Sequence, residues 1–237
     1  MDCQKGNHEN LENTIKDMKK GKFDINVRNH STGQYWTGLQ FAAMYGHKEV
    51  VKIILKHNPN LELVAIEYLN STPLLIASEK GYYYIVQLLA NKGANLEARN
   101  QNGMTPLLLA SKNGHIEICK FLINNQRKAD LQTHCDGDGM TPLLLSCQYG
   151  YVEICRFMIQ KGAYVNACNK DKATGLILAC RYGHYEIAKI MLEKGCDIKA
   201  NSNYGTAFEV AKHYGFTRII AMLLLPRLGW NKFMSLF

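Results

Sequence analysis

One segment of the chain repeats letter for letter, and this repeat constrains the fold more than any other feature of the sequence. Met104–Leu109 reads MTPLLL, and the same six letters return at Met140–Leu145. Similar copies recur every 32 to 36 residues, and each opens on a threonine: Thr37, Thr72, Thr105, Thr141, Thr174 and Thr206. A period of this length is typical of solenoid proteins, in which each repeat is one supersecondary unit that packs against its neighbours.

The residues that follow each threonine predict a pair of short helices. Thr105 is a good N-cap, and Pro106 suits the first helical position because its missing N–H has no intrahelical partner there. A glycine nine positions after each threonine is expected to end the first helix in a left-handed conformation: Gly46, Gly81, Gly114, Gly150, Gly183 and Gly215. Helices of two or three turns are marginal alone, so neighbouring repeats must bury their apolar faces.

These copies resemble the ankyrin-repeat family, and the closing segments GANLEA (93–98), GAYVNA (162–167) and GCDIKA (195–200) strengthen the resemblance. It implies an all-α solenoid of stacked helix-turn-helix units with projecting β-turns or hairpins. The sequence departs from the family where the histidine of its T-P-L-H motif is replaced, by Gln40, Leu75, Leu108, Leu144, Ile177 and Glu209.

The resemblance predicts a single ankyrin-repeat domain over 1–237. Its parts are a degenerate N-terminal capping repeat at 1–31, five repeats at 32–66, 67–99, 100–135, 136–168 and 169–200, and a C-terminal capping repeat with a tail at 201–237. The apolar tail from Pro226 to Phe237 either caps the last repeat, docks on a partner or leads into further sequence; we favour capping.

Charge and hydropathy narrow the classes of partner. Lys and Arg number 28 against 20 Asp and Glu, a formal net charge of +8, but no more than two basic residues are consecutive. Nucleic-acid binders concentrate Lys and Arg on one face, so the dispersed charge argues against nucleic acid. The longest apolar stretch, Ile219–Leu225, is too short for a membrane span, so we expect no membrane insertion.

The cysteines and histidines offer no catalytic or metal-binding motif. Eight cysteines include no C-x-x-C pair, and no nucleotide-binding, nucleophile or zinc-protease motif is present. We therefore expect a chain with no cofactor, no metal and no enzymatic activity. The polar N-terminus does not resemble a signal peptide, so free thiols in a reducing cytoplasm are expected, with the nucleus as the alternative. His47, His115 and His184 are expected to brace loops, and Cys135 is the best candidate for an exposed thiol.

The resemblance also implies where a partner binds, since ankyrin-like solenoids make contacts from turn tips and from the exposed side of the first helix. Carried to the matching positions, this gives the candidate contact residues Trp36, Tyr45, Lys80, Met104, Lys112, Met140, Tyr149, Arg181, Tyr182, His213 and Tyr214. Two alternatives stay open: the tyrosines pack on each other or on the next turn, and Trp36 fills a gap at the capping junction.

The expected function is that of a non-catalytic, monomeric scaffold that binds a protein or peptide along its concave face. The alternative is a substrate-recruiting or inhibitory module of a larger enzyme assembly.

Overall fold

The structure is a computed structural model that describes residues 25–29 and 36–224. Its contacts divide the chain into two compact units, Met1–Asp130 and Leu131–Phe237, called unit 1 and unit 2 below. Most of the predicted N-terminal capping repeat and the tail from residue 225 lie outside the described residues. That all repeats form one domain stays a prediction.

Unit 1 contains three helix pairs and one two-stranded antiparallel sheet in its described part. The strands are β1 (Arg28–Asn29) and β2 (Trp36–Thr37), and the helices are α1 (Gly38–Tyr45), α2 (Lys48–Leu55), α3 (Pro73–Lys80), α4 (Tyr83–Asn91), α5 (Pro106–Lys112) and α6 (Ile116–Asn124).

Unit 2 repeats the same plan up to residue 224. Its helices are α7 (Pro142–Tyr149), α8 (Val152–Gln160), α9 (Gly175–Tyr182), α10 (Tyr185–Glu193), α11 (Ala207–His213) and α12 (Thr217–Leu224), and its strands are β3 (Asn201–Ser202) and β4 (Gly205–Thr206).

The helix boundaries follow the local chemistry that the sequence predicts. Each of the six threonines is extended and accepts a hydrogen bond from the backbone N–H three residues later, as Thr105 does from Leu108 at 3.3 Å. Gly81 and Gly150 follow their helices with φ of +82° and +80°, which confirms the expected left-handed ends. These caps satisfy backbone groups that short helices would otherwise leave without partners.

Stacking of like helices builds the core within each unit. The first helices α1, α3 and α5 pack in sequence in unit 1, as α7, α9 and α11 do in unit 2, and the second helices form a parallel layer in each. Leu75, Leu108 and Leu144 are completely buried, although the family has histidine at these positions. The exchange of a polar residue for leucine therefore adds apolar burial to the first-helix layer.

Hairpins and turns project beside the first helices. The sheet β1–β2 pairs Arg28 with Thr37, and β3–β4 pairs Asn201 with Thr206. Neighbouring turns are joined by backbone hydrogen bonds, such as Asn203 N–H to the Asp171 carbonyl at 2.9 Å in unit 2. Stacked helix pairs with projecting hairpins confirm the predicted all-α solenoid architecture.

The repeat at 100–135 is longer than its neighbours, with about two extra residues near 126–128, and this segment makes a contact with the preceding repeat that the sequence did not reveal. The Arg127 guanidinium donates to the carbonyl of Ala94 at 2.9 Å and also to that of Ala90. These carbonyls lie at or beyond the end of α4, where backbone acceptors lack intrahelical donors. Arg127 therefore closes the end of the preceding repeat's second helix.

Candidate protein-binding surface

The inter-helix turns share one packing device in both units, an aromatic or imidazole ring placed over the glycine of the preceding repeat. A Cβ added at Gly81 would lie 2.6 Å from the His115 ring, and one at Gly150 would lie 2.7 Å from the His184 ring. Nε2 of each histidine also bonds a backbone carbonyl of the preceding repeat, that of Glu79 at 2.9 Å and that of Gln148 at 3.0 Å. The bracing role expected for His115 and His184 is confirmed.

Other ring residues occupy this position where histidine is absent. The Tyr82 ring lies over Gly46 and the Phe216 ring over Gly183 in the same way. We use the name bracing rings for the ring-bearing residues directly after the glycine of each repeat, which are His47, Tyr82, His115, Tyr151, His184 and Phe216. Four of them, Tyr82, His115, His184 and Phe216, lie over a glycine of their own unit. Only the histidines of this set were predicted from the sequence. The shared signal was a ring-bearing side chain directly after the glycine in every repeat.

The residue just before the glycine carries the main exposed aromatic surface of unit 2. Tyr149, Tyr182 and Tyr214, named here the tyrosine row, end or follow the first helices of three consecutive repeats and are 42%, 45% and 49% exposed. Each ring stacks on the bracing ring two residues later, with centroids 6.3 Å apart. The row is therefore held in place on one side and open to solvent on the other.

Arg181 lies beside the tyrosine row and is held by aromatic rings. Its guanidinium lies 3.9 Å from the Tyr204 ring centroid and 5.8 Å from that of Tyr182. The Tyr204 hydroxyl donates to Oδ2 of Asp171, and this hydrogen bond is the main cause that raises the pKa of Tyr204. Burial disfavours the charged form of Arg181, but its contact with the Tyr204 hydroxyl raises the pKa overall, so the guanidinium stays charged.

The equivalent surface of unit 1 has a different composition. Tyr45 is 46% exposed and stacks on His47, whereas Lys80 and Lys112 are exposed cations at the next two repeats. Nζ of Lys80 lies 5.5 Å from the Tyr68 ring centroid, and a hydrogen bond to the Tyr68 hydroxyl raises the pKa of Lys80. Unit 1 thus offers one exposed tyrosine and separate cations where unit 2 offers a row.

Three candidate contact residues do not lie on the surface. Trp36 is 4% exposed and packs against Phe41 and Tyr68, with ring centroids 5.3 and 5.7 Å away. Met104 and Met140 are 7% and 1% exposed. Their prediction as exposed tip residues is wrong, because the residue before each N-cap threonine turns inward to cover the first helices. For Trp36 the structure supports the alternative of filling a gap.

The other eight candidates lie at the surface or are half-buried there, and their role in binding stays a prediction. They are Tyr45, Lys80, Lys112, Tyr149, Arg181, Tyr182, His213 and Tyr214. The structure brings the last five of them together on the first-helix layer of unit 2. His213 packs edge-on against Tyr214, with ring centroids 4.9 Å apart. The tyrosines of the row pack on bracing rings rather than on one another.

The cysteines differ from expectation at one position. Cys135 is 6% exposed and its thiol donates to Oδ1 of Asp138 at 2.7 Å, so its prediction as the exposed thiol is wrong. Cys168 is the exposed cysteine of the described part of the chain. Burial raises the pKa of Cys119, Cys180 and Cys196 to about 12, as expected for small core residues.

Residues 25–29 and 36–224 hold no group of three or more His, Cys, Asp or Glu side chains arranged to bind a metal ion. None of their helices is both long and apolar enough to cross a membrane.

Stacked helix pairs that carry variable side chains at fixed surface positions define a repeat protein whose surface, rather than a cavity, is the candidate site. Models of ankyrin repeats match residues 2–100 and 93–169 (three copies) and residues 158–211 (many copies). The chain belongs to the ankyrin-repeat family. Ankyrin repeats are generally protein–protein interaction modules, and their fold is typically non-catalytic.

Known relatives match a short part of the chain. Over 67 residues, 28% of the chain, it is 34% identical to ankyrin repeat domain-containing protein 17 of Mus musculus. It is 33% identical to ankyrin repeat and KH domain-containing protein 1 of Homo sapiens and 40% identical to ankyrin repeat and KH domain-containing protein mask of Drosophila melanogaster over the same length. The matched segment spans 2% to 3% of these relatives.

A solved structure matches the fold over nearly the whole chain. The crystal structure of the ankyrin repeat domain of Bcl-3, described as a unique member of the IkappaB protein family, superimposes with a TM-score of 0.79. The match covers 94% of this chain and 96% of that chain at 21% sequence identity. At this identity the likeness shows the fold alone.

Proposed function

We propose that the protein is a non-catalytic scaffold that binds a protein or peptide partner on its first-helix layer, the side predicted to be concave. The observation that carries the proposal is the tyrosine row. Three equivalent tyrosines on consecutive repeats are close to half exposed, although each ring is fixed by a bracing ring. Rigid tyrosines lose little conformational entropy on binding and are enriched among the residues that dominate interface energetics.

Scaffold and contact surface are separate sets of residues, which supports a binding role. The buried leucines and the bracing rings over glycines pack between repeats, whereas the tyrosines of the row are 42% to 49% exposed. Aromatic side chains exposed in register form the kind of surface patch that marks protein–protein interaction sites.

The test begins with affinity purification from extract of the source cells, using the full chain as bait and mass spectrometry to identify bound proteins. Each purified partner is then titrated by calorimetry against wild type and a triple variant, Tyr149→Ala, Tyr182→Ala and Tyr214→Ala. We expect the triple substitution to weaken the affinity for a partner that uses this surface by more than about tenfold. Tyr164→Ala is the matched control, because Tyr164 is 62% exposed in the same unit but lies after the second helix.

Unchanged affinity in the triple variant for every identified partner would refute the proposal. Equal loss in Tyr164→Ala would show a general effect of removing surface tyrosines and would also refute it. Circular dichroism on each variant separates lost binding from lost folding.

We further propose that the protein acts as a monomer in the reducing cytoplasm. The seven cysteines of the described chain are free thiols, six of them buried, which suits a reducing compartment. Imaging of the tagged full chain tests the location, and light scattering tests the oligomeric state. Secretion in disulfide-bonded form, or a stable dimer, would refute the respective part.

A further inference from the structure

We propose that the surface around Arg181 in unit 2 selects an acidic segment of the partner, with a carboxylate of that segment bound to the Arg181 guanidinium. This inference rests on the proposed function and narrows it to one chemical class of partner.

The first support is that Arg181 is fixed before any partner arrives. Its guanidinium lies 3.9 Å from the Tyr204 ring centroid, and the Tyr204 hydroxyl is anchored on Asp171. Nδ2 of Asn203 also donates to Asp171, at 3.2 Å, so the carboxylate is held from two sides. An arginine stacked on an aromatic ring loses less side-chain freedom on binding than one that projects into solvent.

The second support is that the charge of Arg181 is not neutralised within the described chain. No carboxylate of residues 36–224 forms a salt bridge with it; Asp171 accepts from Tyr204 and Asn203 instead. The other carboxylate of this layer, Glu209, accepts from the backbone N–H and hydroxyl of Thr206 at 2.8 and 2.9 Å. Guanidinium N–H groups therefore stay open to an external acceptor, and a carboxylate is the acceptor whose shape matches their fork.

The third support is the surroundings of Arg181. Lys212 is exposed on the next first helix and adds a second cation to this part of the layer. The hydroxyls of Tyr182 and Tyr214 form no hydrogen bonds with described residues and can donate to the same segment. Tyrosine faces beside a cation favour a peptide that combines acidic with apolar side chains.

The spacing of the row suggests the arrangement of that peptide. Packed helices lie about 10 Å apart, and an extended chain rises about 3.3 Å per residue. An extended segment crossing the row therefore advances about three residues per repeat. We expect an acidic residue at Arg181 and apolar residues about three positions to either side, over Tyr149 and Tyr214.

The experiment selects peptides without assuming a partner. A random display library of 12-residue peptides is panned on the purified full chain. Selected peptides are then labelled and measured by fluorescence anisotropy against wild type, Arg181→Gln, Arg181→Lys and Arg218→Gln. Arg218 is the matched control, because its guanidinium lies 4.3 Å from the Tyr185 ring centroid in the same unit but in the second-helix layer.

We expect enrichment of Asp and Glu among the selected peptides. Arg181→Gln should weaken the affinity for these peptides on the order of 30-fold. Arg181→Lys should weaken the affinity less, because lysine keeps the charge but lacks the forked N–H geometry of the guanidinium. Arg218→Gln should leave affinity within about twofold.

Other results would overturn the inference in distinguishable ways. Peptides that lack acidic residues but need the tyrosine row would overturn the acidic selectivity and leave the proposed function standing. Peptides indifferent to both Arg181 and the row would overturn both. Tighter, Arg181-dependent binding of a dT20 oligonucleotide would replace the acidic peptide with a nucleic-acid phosphate.

Discussion

Units 1 and 2 share one scaffold and differ in what they present on it. In each, a histidine ring covers a left-handed glycine of the preceding repeat and bonds a carbonyl at 2.9 or 3.0 Å. In the slot before that glycine, however, unit 1 carries Tyr45, Lys80 and Asn113, whereas unit 2 carries tyrosine three times. The ring that packs between repeats and the side chain proposed to bind a partner therefore occupy different positions of the same turn, one residue on either side of the glycine.

The cations of the two units show the same division. Lys80 has Tyr68 as its hydrogen-bond partner and Glu79 as a neighbouring negative charge. Arg181 has aromatic neighbours and no salt bridge within the described chain. A cation that its own repeat neutralises contributes to the surface of the free protein, whereas one left open can contribute to binding.

The largest expected difference between the units is in the reaction rate of one cysteine thiol from each. The described cysteine of unit 1, Cys119, is buried with its pKa raised to about 12, whereas Cys168 of unit 2 is exposed. Reaction requires the thiolate, so we expect iodoacetamide at pH 7.5 to modify Cys168 at least about a thousandfold faster than Cys119. Peptide mass spectrometry reads each site separately, and 8 M urea should abolish the difference. Comparable rates in the native protein would show that the unit 1 core opens readily.

Truncation of the repeated MTPLLL segment tests whether the shared scaffold is equally important in both units. Leu108→Ala and Leu144→Ala each remove a completely buried side chain from the same sequence context, and each should lower the free energy of unfolding by about 3 kcal/mol. Urea denaturation followed by circular dichroism measures both. Ile66→Ala, at a side chain 57% exposed, should change stability by less than about 0.5 kcal/mol. A large difference between the two leucine variants would show that the units do not depend equally on this layer.

The glycines under the bracing rings provide the next test. Gly81→Ala and Gly150→Ala place a Cβ against a histidine ring at φ near +80°, so each should cost about 2 kcal/mol from backbone strain and ring displacement. Gly162→Ala is the control, because its φ is +94° but no atom lies within 4 Å of the added Cβ. Its cost should be about 1 kcal/mol. Thermal unfolding measures the three variants, and equal losses of stability at all three glycines would mean that contact with the ring adds nothing to the cost of the substitution.

The smallest expected difference between the units is the pH dependence of stability that their two capping boxes contribute. In unit 1 the reciprocal partner of Thr37 is Gln40, which does not titrate. In unit 2 the partner of Thr206 is Glu209, and its hydrogen bonds to Thr206 lower the pKa of its carboxyl group. A lowered folded pKa means that the contribution of Glu209 to stability is complete above its unfolded pKa of about 4.3 and is lost as pH falls through the folded pKa.

Glu209→Gln should therefore reduce the loss of stability between about pH 5 and pH 3, measured by urea titration at each pH. Glu193→Gln, at another exposed carboxylate of unit 2, is the matched control for the loss of one negative charge. An identical profile for Glu209→Gln and wild type would show that this cap carries no pH dependence.

Much of the fold could be predicted because local chemistry determines it. The threonine caps, the left-handed glycines and the apolar period are each readable within one repeat, and the structure shows them at the expected residues. Asn58 stands 21 positions after Thr37, where Gly93, Gly162 and Gly195 stand in other repeats, and asparagine tolerates the left-handed conformation that it adopts with φ of +49°.

The surface could be predicted only in part, because exposure depends on contacts between repeats. Met104 and Met140 precede the N-cap threonine and were expected at a tip, but they are buried. Cys135 was expected to be an exposed thiol, yet it is buried and its thiol donates to Asp138 within the turn. The stacking of Tyr204 on Arg181 joins side chains 23 positions apart, which no pattern within one repeat encodes.

The bracing rings have an evolutionary consequence. Histidine, tyrosine and phenylalanine rings all pack at the same position over the glycine of the preceding repeat. This contact between neighbouring repeats therefore does not require one particular ring. Excision of 169–200 in frame would bring Phe216 onto Gly150 in place of His184. We therefore expect that a repeat can be lost or duplicated by recombination without a new kind of junction, and each such event would shorten or lengthen the series of surface residues before the glycines by one.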